Sequence, residues 1–168
     1  MAPLRRYRGP GMHRLAVLLL TLIAVAGSAG DTRASVLVRI DKSTQRMTVS
    51  VHGQPAYSWP VSTGRGGFGT PAGRFRPQWM ARSWFSTRYY GSPMPYSIFF
   101  HKGYAIHGTN YISRLGGPAS HGCVRLHPAH AATLYLLVRR AGMSNTAIVI
   151  GGGHPAIARK RTRSASTN

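Results

Sequence analysis

From Ser35 onward the side chains change character every few residues, and this short-range alternation restricts the chain to brief strands joined by tight turns. Val36, Val38 and Ile40 share one face of the run Ser35 to Ile40, and Met47, Val49 and Val51 share one face of Arg46 to Val51. Asp41 to Gln45 links these two expected strands, Gly53-Gln54 supplies a second turn, and Ala56 to Val61 continues the meander. Ser62-Thr63-Gly64-Arg65-Gly66-Gly67 then breaks the periodicity with small, flexible residues. Thr70 to Pro95, rich in aromatics, glycine and proline, reads as an irregular, partly packed excursion suited to a lid or substrate wall. Ser97 to Phe100 and Tyr104 to His107 are two further strand-like runs split by His101-Lys102-Gly103, and the second delivers a histidine at its end.

A single stretch has helical spacing. Pro128 suits a first helical turn, Ala131, Leu134, Tyr135 and Val138 recur on one face, and Gly142 ends the pattern, with His127 placed to substitute for an N-cap. Thr146 to Ile150 reads as a closing strand. The expectation is a mainly β domain with one principal helix, without internal repeats or a second module.

The ends read differently. Arg5, Arg6, Arg8 and Arg14 precede the apolar run Leu15 to Ala26, and Ala24-Val25-Ala26 offers a small-x-small cleavage site. That run is shorter than the roughly 20 residues of a spanning helix. Residues 1–30 are therefore expected to be a signal peptide directing export to the periplasm or cell envelope; left uncleaved, the segment would tether the protein to the membrane. The folded domain is expected over 31–152, and 153–168 reads as a basic, disordered tail.

Charge narrows the chemistry. The 168 residues include 22 Lys and Arg against 2 Asp and Glu, a formal net charge of +20. Such a field draws the protein to polyanions, and outside the cytoplasm these are wall-polymer carboxylates and anionic surfaces. Nucleic acid is set aside, because the arginines are scattered and export separates the two. With Asp31 and Asp41 as the only acids, paired-carboxylate glycosidases, aspartic proteases and zincin helices are excluded. A nucleophile and base survive, since histidine can act as base with a backbone carbonyl orienting its ring.

Cys123 is the only cysteine, so no intramolecular disulfide can form and its thiol is a candidate nucleophile. It lies in Ser120-His121-Gly122-Cys123-Val124-Arg125-Leu126, after the Gly116-Gly117-Pro118 loop and shortly before the expected helix. A loop-to-helix junction of this kind is expected to expose N–H groups that favour the thiolate and could hold an oxyanion. Two other readings stay open here: an inert buried cysteine, and a zinc site built from His107, His121 and Cys123.

Ile106-His107-Gly108-Thr109 and Ser120 to Leu126 together resemble the signature of the L,D-transpeptidase catalytic (YkuD) domain. The resemblance continues through Pro60-Val61-Ser62-Thr63-Gly64, Thr70-Pro71-Ala72-Gly73-Arg74-Phe75 and Met94-Pro95-Tyr96, covering nearly all of 35–151. It implies a β-sandwich-like fold in which cysteine attacks the third-residue carbonyl of a peptidoglycan tetrapeptide stem and releases the terminal D-alanine. The thioester is then resolved by a side-chain amine of a second stem, giving a 3-to-3 cross-link, with no metal or organic cofactor.

Carried over by position, the resemblance makes Cys123 the nucleophile and His107, sixteen residues earlier, its base. Gly122 and the Cys123 amide would line the oxyanion hole, and His121 and Ser120 would sit beside the pocket. Arg125 would contact a substrate carboxylate or brace the loop. The motif does not fix the acceptor: water would make the same site a carboxypeptidase or amidase. A non-catalytic cationic wall-binding module is the reading from a different class. Oligomeric state leaves no mark in the sequence.

Overall fold

A computed structural model describes residues 34–153; the expected signal or anchor segment and the basic tail beyond Gly153 lie outside the described residues. β1 (Val36–Asp41) and β2 (Arg46–Val51) form an antiparallel hairpin in which Val36 faces Val51 and Asp41 faces Arg46. The turn between them closes on Asp41, whose carboxylate accepts from the Ser43 amide at 2.8 Å and from the Ser43 hydroxyl. β3 (Gln54–Pro60) pairs with β2. Its turn is His52-Gly53 rather than the expected Gly53-Gln54, with φ of 48° and 81°, the twist a two-residue hairpin favours.

Two strands absent from the sequence reading lie inside the aromatic excursion: β4 (Gly73–Phe75) and β5 (Trp79–Ala81). β6 (Ser97–His101), β7 (Tyr104–Gly108) and β8 (Val124–Leu126) follow, then α1 (Pro128–Ala141) and β9 (Thr146–Gly151). One sheet has the order β3-β2-β1-β9-β4 and the other β5-β6-β7-β8. β9 runs parallel to β1, and β4 closes the first sheet antiparallel to β9. The mainly β, two-sheet expectation with one principal helix is what the structure has.

α1 begins as expected. The His127 ring accepts from the Ala129 amide at 3.2 Å, Pro128 occupies the first turn, and the Gly142 amide closes the helix on the Val138 carbonyl. Its buried face, Ala131, Leu134 and Val138, joins a core built from Val36, Val38, Ile40, Met47, Val49 and Ile148 of the first sheet and Ile98, Phe100, Ile106, Val124 and Leu126 of the second.

The second sheet is buried on both sides. Ile98, Phe100, Ile106 and Val124 enter the main core, so alternation turns Phe99, Ala105 and His107 to the opposite face. There Phe99 and Ala105 pack with Met94, and Trp79 stacks on Phe99 at a centroid separation of 3.6 Å. Cys123 packs against this smaller cluster.

Candidate active site

The parallel pairing of β7 with β8 decides which side chains meet. Ile106 is opposite Val124 and His107 opposite Arg125. Because Ile106 and Val124 face the main core, His107, Cys123 and Arg125 all face away from it, with Cys123 and His107 as diagonal neighbours. Cys123, immediately before β8, and His107, on β7, are thus turned toward the same face although sixteen residues apart in sequence.

His107 is buried, and its Nδ1 lies 2.7 Å from the Gly108 carbonyl oxygen. A carbonyl only accepts, so Nδ1 carries the proton and Nε2 holds the free lone pair. Burial, opposed by that hydrogen bond and reinforced by the Arg125 charge, lowers the imidazole pKa to about 4. The ring is therefore a neutral acceptor at physiological pH, oriented by backbone instead of a carboxylate.

The thiol departs from expectation. Burial pushes the Cys123 pKa up, against opposing pulls from an Ala105 backbone hydrogen bond and the Arg125 charge. Helix-terminal donors do not reach it, because β8 intervenes between Cys123 and Pro128. The resting pair is a thiol beside a neutral imidazole, not a preformed thiolate.

The motif loop is held from within. Ser120 is fully buried; its hydroxyl donates to the Cys123 carbonyl at 2.6 Å and accepts from the Gly122 amide at 2.9 Å. That amide is thus committed to Ser120 and not free to hold an oxyanion. Gly122 itself cannot be replaced freely: its φ is 115°, and an added Cβ would lie 2.4 Å from the Tyr104 ring.

Residues 61–65 form a strap along this loop, pinned by backbone rather than flexible as the sequence suggested. Ser62 and Arg125 exchange backbone hydrogen bonds at 3.0 and 2.9 Å, the Ala119 and Ser120 amides both donate to Thr63 O, and the Arg65 amide donates to Ser120 O. Buried Gln45 holds the strap to the first hairpin, donating to Thr63 Oγ1 at 2.7 Å and accepting from the Thr63 amide at 2.9 Å. At Gly64 the backbone folds so closely on Phe68 O that a Cβ has no room.

Thr70, which the sequence marks only as part of the Thr70 to Phe75 motif and gives no role, ties strap to motif. Its buried hydroxyl accepts from the Gly64 amide at 2.9 Å and donates to the Gly122 carbonyl at 2.7 Å. Thr70→Val keeps the shape and strands both backbone groups. We expect a loss of about 2–4 kcal/mol in urea unfolding together with slower Cys123 alkylation. Unchanged stability and reactivity would count against this role.

His121 is turned to a different set of partners. Its Nε2 accepts from the Arg65 guanidinium at 2.7 Å, since arginine only donates, and its ring stacks on Tyr89 at 4.3 Å and meets the Phe68 edge at 4.7 Å. Partial desolvation and the Arg65 and Arg125 charges lower its pKa. Among the described residues no three His, Cys, Asp or Glu side chains gather in a metal-holding group, so the arrangement of His107, His121 and Cys123 as three ligands is not formed. Arg125 is half-buried, with one long hydrogen bond to Ala119 O at 3.5 Å, and lies over the Tyr111 ring.

The family model of the L,D-transpeptidase catalytic domain, YkuD, matches residues 35–150. The chain belongs to this family. An L,D-transpeptidase from Mycobacterium smegmatis shares its fold at a TM-score of 0.63 and 23% identity, over 71% of this chain and 59% of that one. This L,D-transpeptidase domain thus spans less than two thirds of that protein's length. One from Xylanimonas cellulosilytica superposes at a TM-score of 0.60 with 26% identity, covering 84% of this chain and 70% of the other. L,D-transpeptidase 3 of Mycobacterium tuberculosis, solved with a faropenem-derived adduct, is similar at a TM-score of 0.60 and 20% identity, covering 69% and 60%. No curated protein matches the sequence.

Proposed function

We propose that this L,D-transpeptidase family member cross-links peptidoglycan stem peptides through a thioester on Cys123. The reading is supported by the β7–β8 register, which turns toward one face the chain's only thiol, just before β8, and an imidazole whose Nδ1 is fixed on a carbonyl. Cys123 Sγ attacks the third-residue carbonyl of a tetrapeptide stem as His107 Nε2 takes its proton. The Cys123 amide holds the oxyanion. Collapse expels D-alanine, whose amine takes the proton from Nε2, and leaves the thioester. A diamino-acid amine of a second stem attacks next; Nε2 removes its proton and returns it to the departing thiol.

Site electrostatics support a base that works during attack. With the thiol raised and the imidazole neutral, the ring is free to take the thiol's proton as sulfur attacks. The +20 charge favours a carboxylate-rich wall polymer, and residues 1–30 carry the export signal that brings the protein to it. No helix among the described residues is long and apolar enough to cross a membrane.

The test is mass spectrometry of purified residues 31–168 incubated with disaccharide-tetrapeptides. A dimer lacking one D-alanine, absent with Cys123→Ala, is the expected product. A tripeptide monomer instead would make water the acceptor and the protein a carboxypeptidase; no turnover of any stem would overturn the reading.

A further inference from the structure

One row of side chains crosses the far face of the second sheet. Trp79 of β5 stands opposite Phe99 of β6, Phe99 stands opposite Ala105 of β7, and the parallel register of Ile106 with Val124 brings Ala105 level with Cys123. Phe99, Ala105 and Cys123 pack together, so the row runs from the edge strand β5 to the nucleophile. Met80 turns into the main core, and alternation leaves Trp79 on the outer side. Three strand spacings of about 4.8 Å put Trp79 roughly 14 Å from Cys123 along this row.

The ring at the end of the row is covered on one side only. Phe99 lies on one face of the Trp79 indole, with centroids 3.6 Å apart and planes 7° from parallel. Trp84 stands nearly perpendicular to both rings, 5.0 Å from Trp79 and 5.9 Å from Phe99. A triangle with these three sides has a nearly right angle at Trp79, so Trp84 lies beside the stack and not on top of it. Neither ring covers the second face of Trp79. The two indoles thus form a corner, one the floor and the other the wall, and they stay 39% and 37% exposed. Backbone holds both in place: the Gln78 amide donates to Phe99 O at 2.7 Å and the Met94 amide to Trp84 O at 2.8 Å.

An indole fixed open to water against a second, perpendicular one suits a ligand that is apolar on one side and polar around its rim. A pyranose is built that way: its C–H groups lie on the aromatic face while its hydroxyl and acetamido groups stay hydrated. Two part-exposed indoles offer far less than the roughly 800 Å² per partner of a stable protein interface. Reach agrees with a sugar. Three extended residues span about 10 Å, and the acyl linker between the first of them and its sugar adds the remainder of the row. We propose that the open face of Trp79, walled by Trp84, is a pyranose-binding subsite, and that it holds the sugar bearing the donor stem while that stem reaches Cys123. Assigning the sugar to the donor strand rests on the transpeptidase reading; binding of a saccharide at the corner does not.

The first test needs no turnover. The chain has three tryptophans, and the third, Trp59, is buried in the main core. Titrating the protein with a stem-free N-acetylglucosamine tetramer, read by the three indole N–H resonances in a nitrogen–proton correlation spectrum, should shift Trp79 and Trp84 saturably and leave Trp59 in place. Trp79→Ala should abolish the shift at Trp84. No saturable shift, a shift of all three indoles alike, or an undiminished Trp84 shift in Trp79→Ala overturns the subsite.

The second test compares a disaccharide-tetrapeptide donor with the same tetrapeptide lacking its sugars. Wild type should prefer the sugar-bearing donor through KM by roughly three- to tenfold, the size of one aromatic ring contact. Trp79→Ala should bring the ratio of the two kcat/KM values close to one, and Trp79→Phe should retain part of it; the ratio cancels any general loss from altered packing on Phe99. No preference in the wild type, or an undiminished one in Trp79→Ala, removes the role in donor binding. Absence of turnover with either donor would sink the transpeptidase reading alone, with the titration still deciding whether the subsite exists.

Discussion

Mixed with a carbapenem, the wild-type protein should gain the mass of one drug molecule, and Cys123→Ala should gain none. A β-lactam presents a strained amide carbonyl, and its ring-opened product remains attached through the thioester, so the adduct equals the whole drug. This protein has one thiol, turned to the same face as a buried imidazole whose Nδ1 is held by a carbonyl. Removing the sulfur eliminates the covalent route altogether, an effect of about 10⁴-fold or more on stem-peptide turnover. The substitution leaves the packing against Met94, Phe99 and Ala105 nearly intact, which circular dichroism would verify. An adduct of undiminished yield on the alanine variant would place the nucleophile elsewhere.

His107→Gln carries the second large effect. Glutamine fills a similar volume but cannot take the thiol's proton, and loss of general-base help should slow acylation by about 10²- to 10⁴-fold at neutral pH. Because the thiol rests protonated, raising the pH should recover part of the lost rate as hydroxide does the work of the ring. A rate within threefold of wild type at pH 7 would remove His107 from the mechanism.

The same residue couples stability to pH. In the folded protein its pKa is about 4, against 6.5 for the unpaired ring. Between these values the unfolded chain binds the proton and the native protein resists it. His107 therefore imposes no penalty above about pH 6.5, and destabilises the fold increasingly as pH falls toward 4. The full swing is on the order of 3 kcal/mol. Urea midpoints at pH 7.5 and 4.5 should differ less in His107→Gln than in wild type, and equal pH slopes would refute the assignment.

What the sequence displayed well was local or motif-borne. Val36-Val38-Ile40 and Met47-Val49 gave the first hairpin by alternation, and Ala131, Leu134 and Val138 gave the helix by spacing. β4 could not be seen that way: Gly73-Arg74-Phe75 becomes a strand only because β9, more than seventy residues later, supplies its partner. The Ser62–Arg65 strap shows the same limit, since small residues look mobile until remote carbonyls and Gln45 fix them. At the site, Cys123 and His107 stood out by type and motif. The committed Gly122 amide, the Thr70 bridge and the raised thiol did not, because each arises from contacts between distant segments and from burial.

Under the export proposed above, the protonated resting thiol also bears on survival in an oxidising environment. Peroxide attacks thiolates, and a sulfenic acid is rescued most readily by a neighbouring thiol that caps it as a disulfide. This chain has no second cysteine to provide that rescue. A nucleophile generated only when a substrate carbonyl is in place spends little time as the oxidisable anion, so the burial that slows its ionisation also prolongs the working life of an enzyme with no internal means of repair.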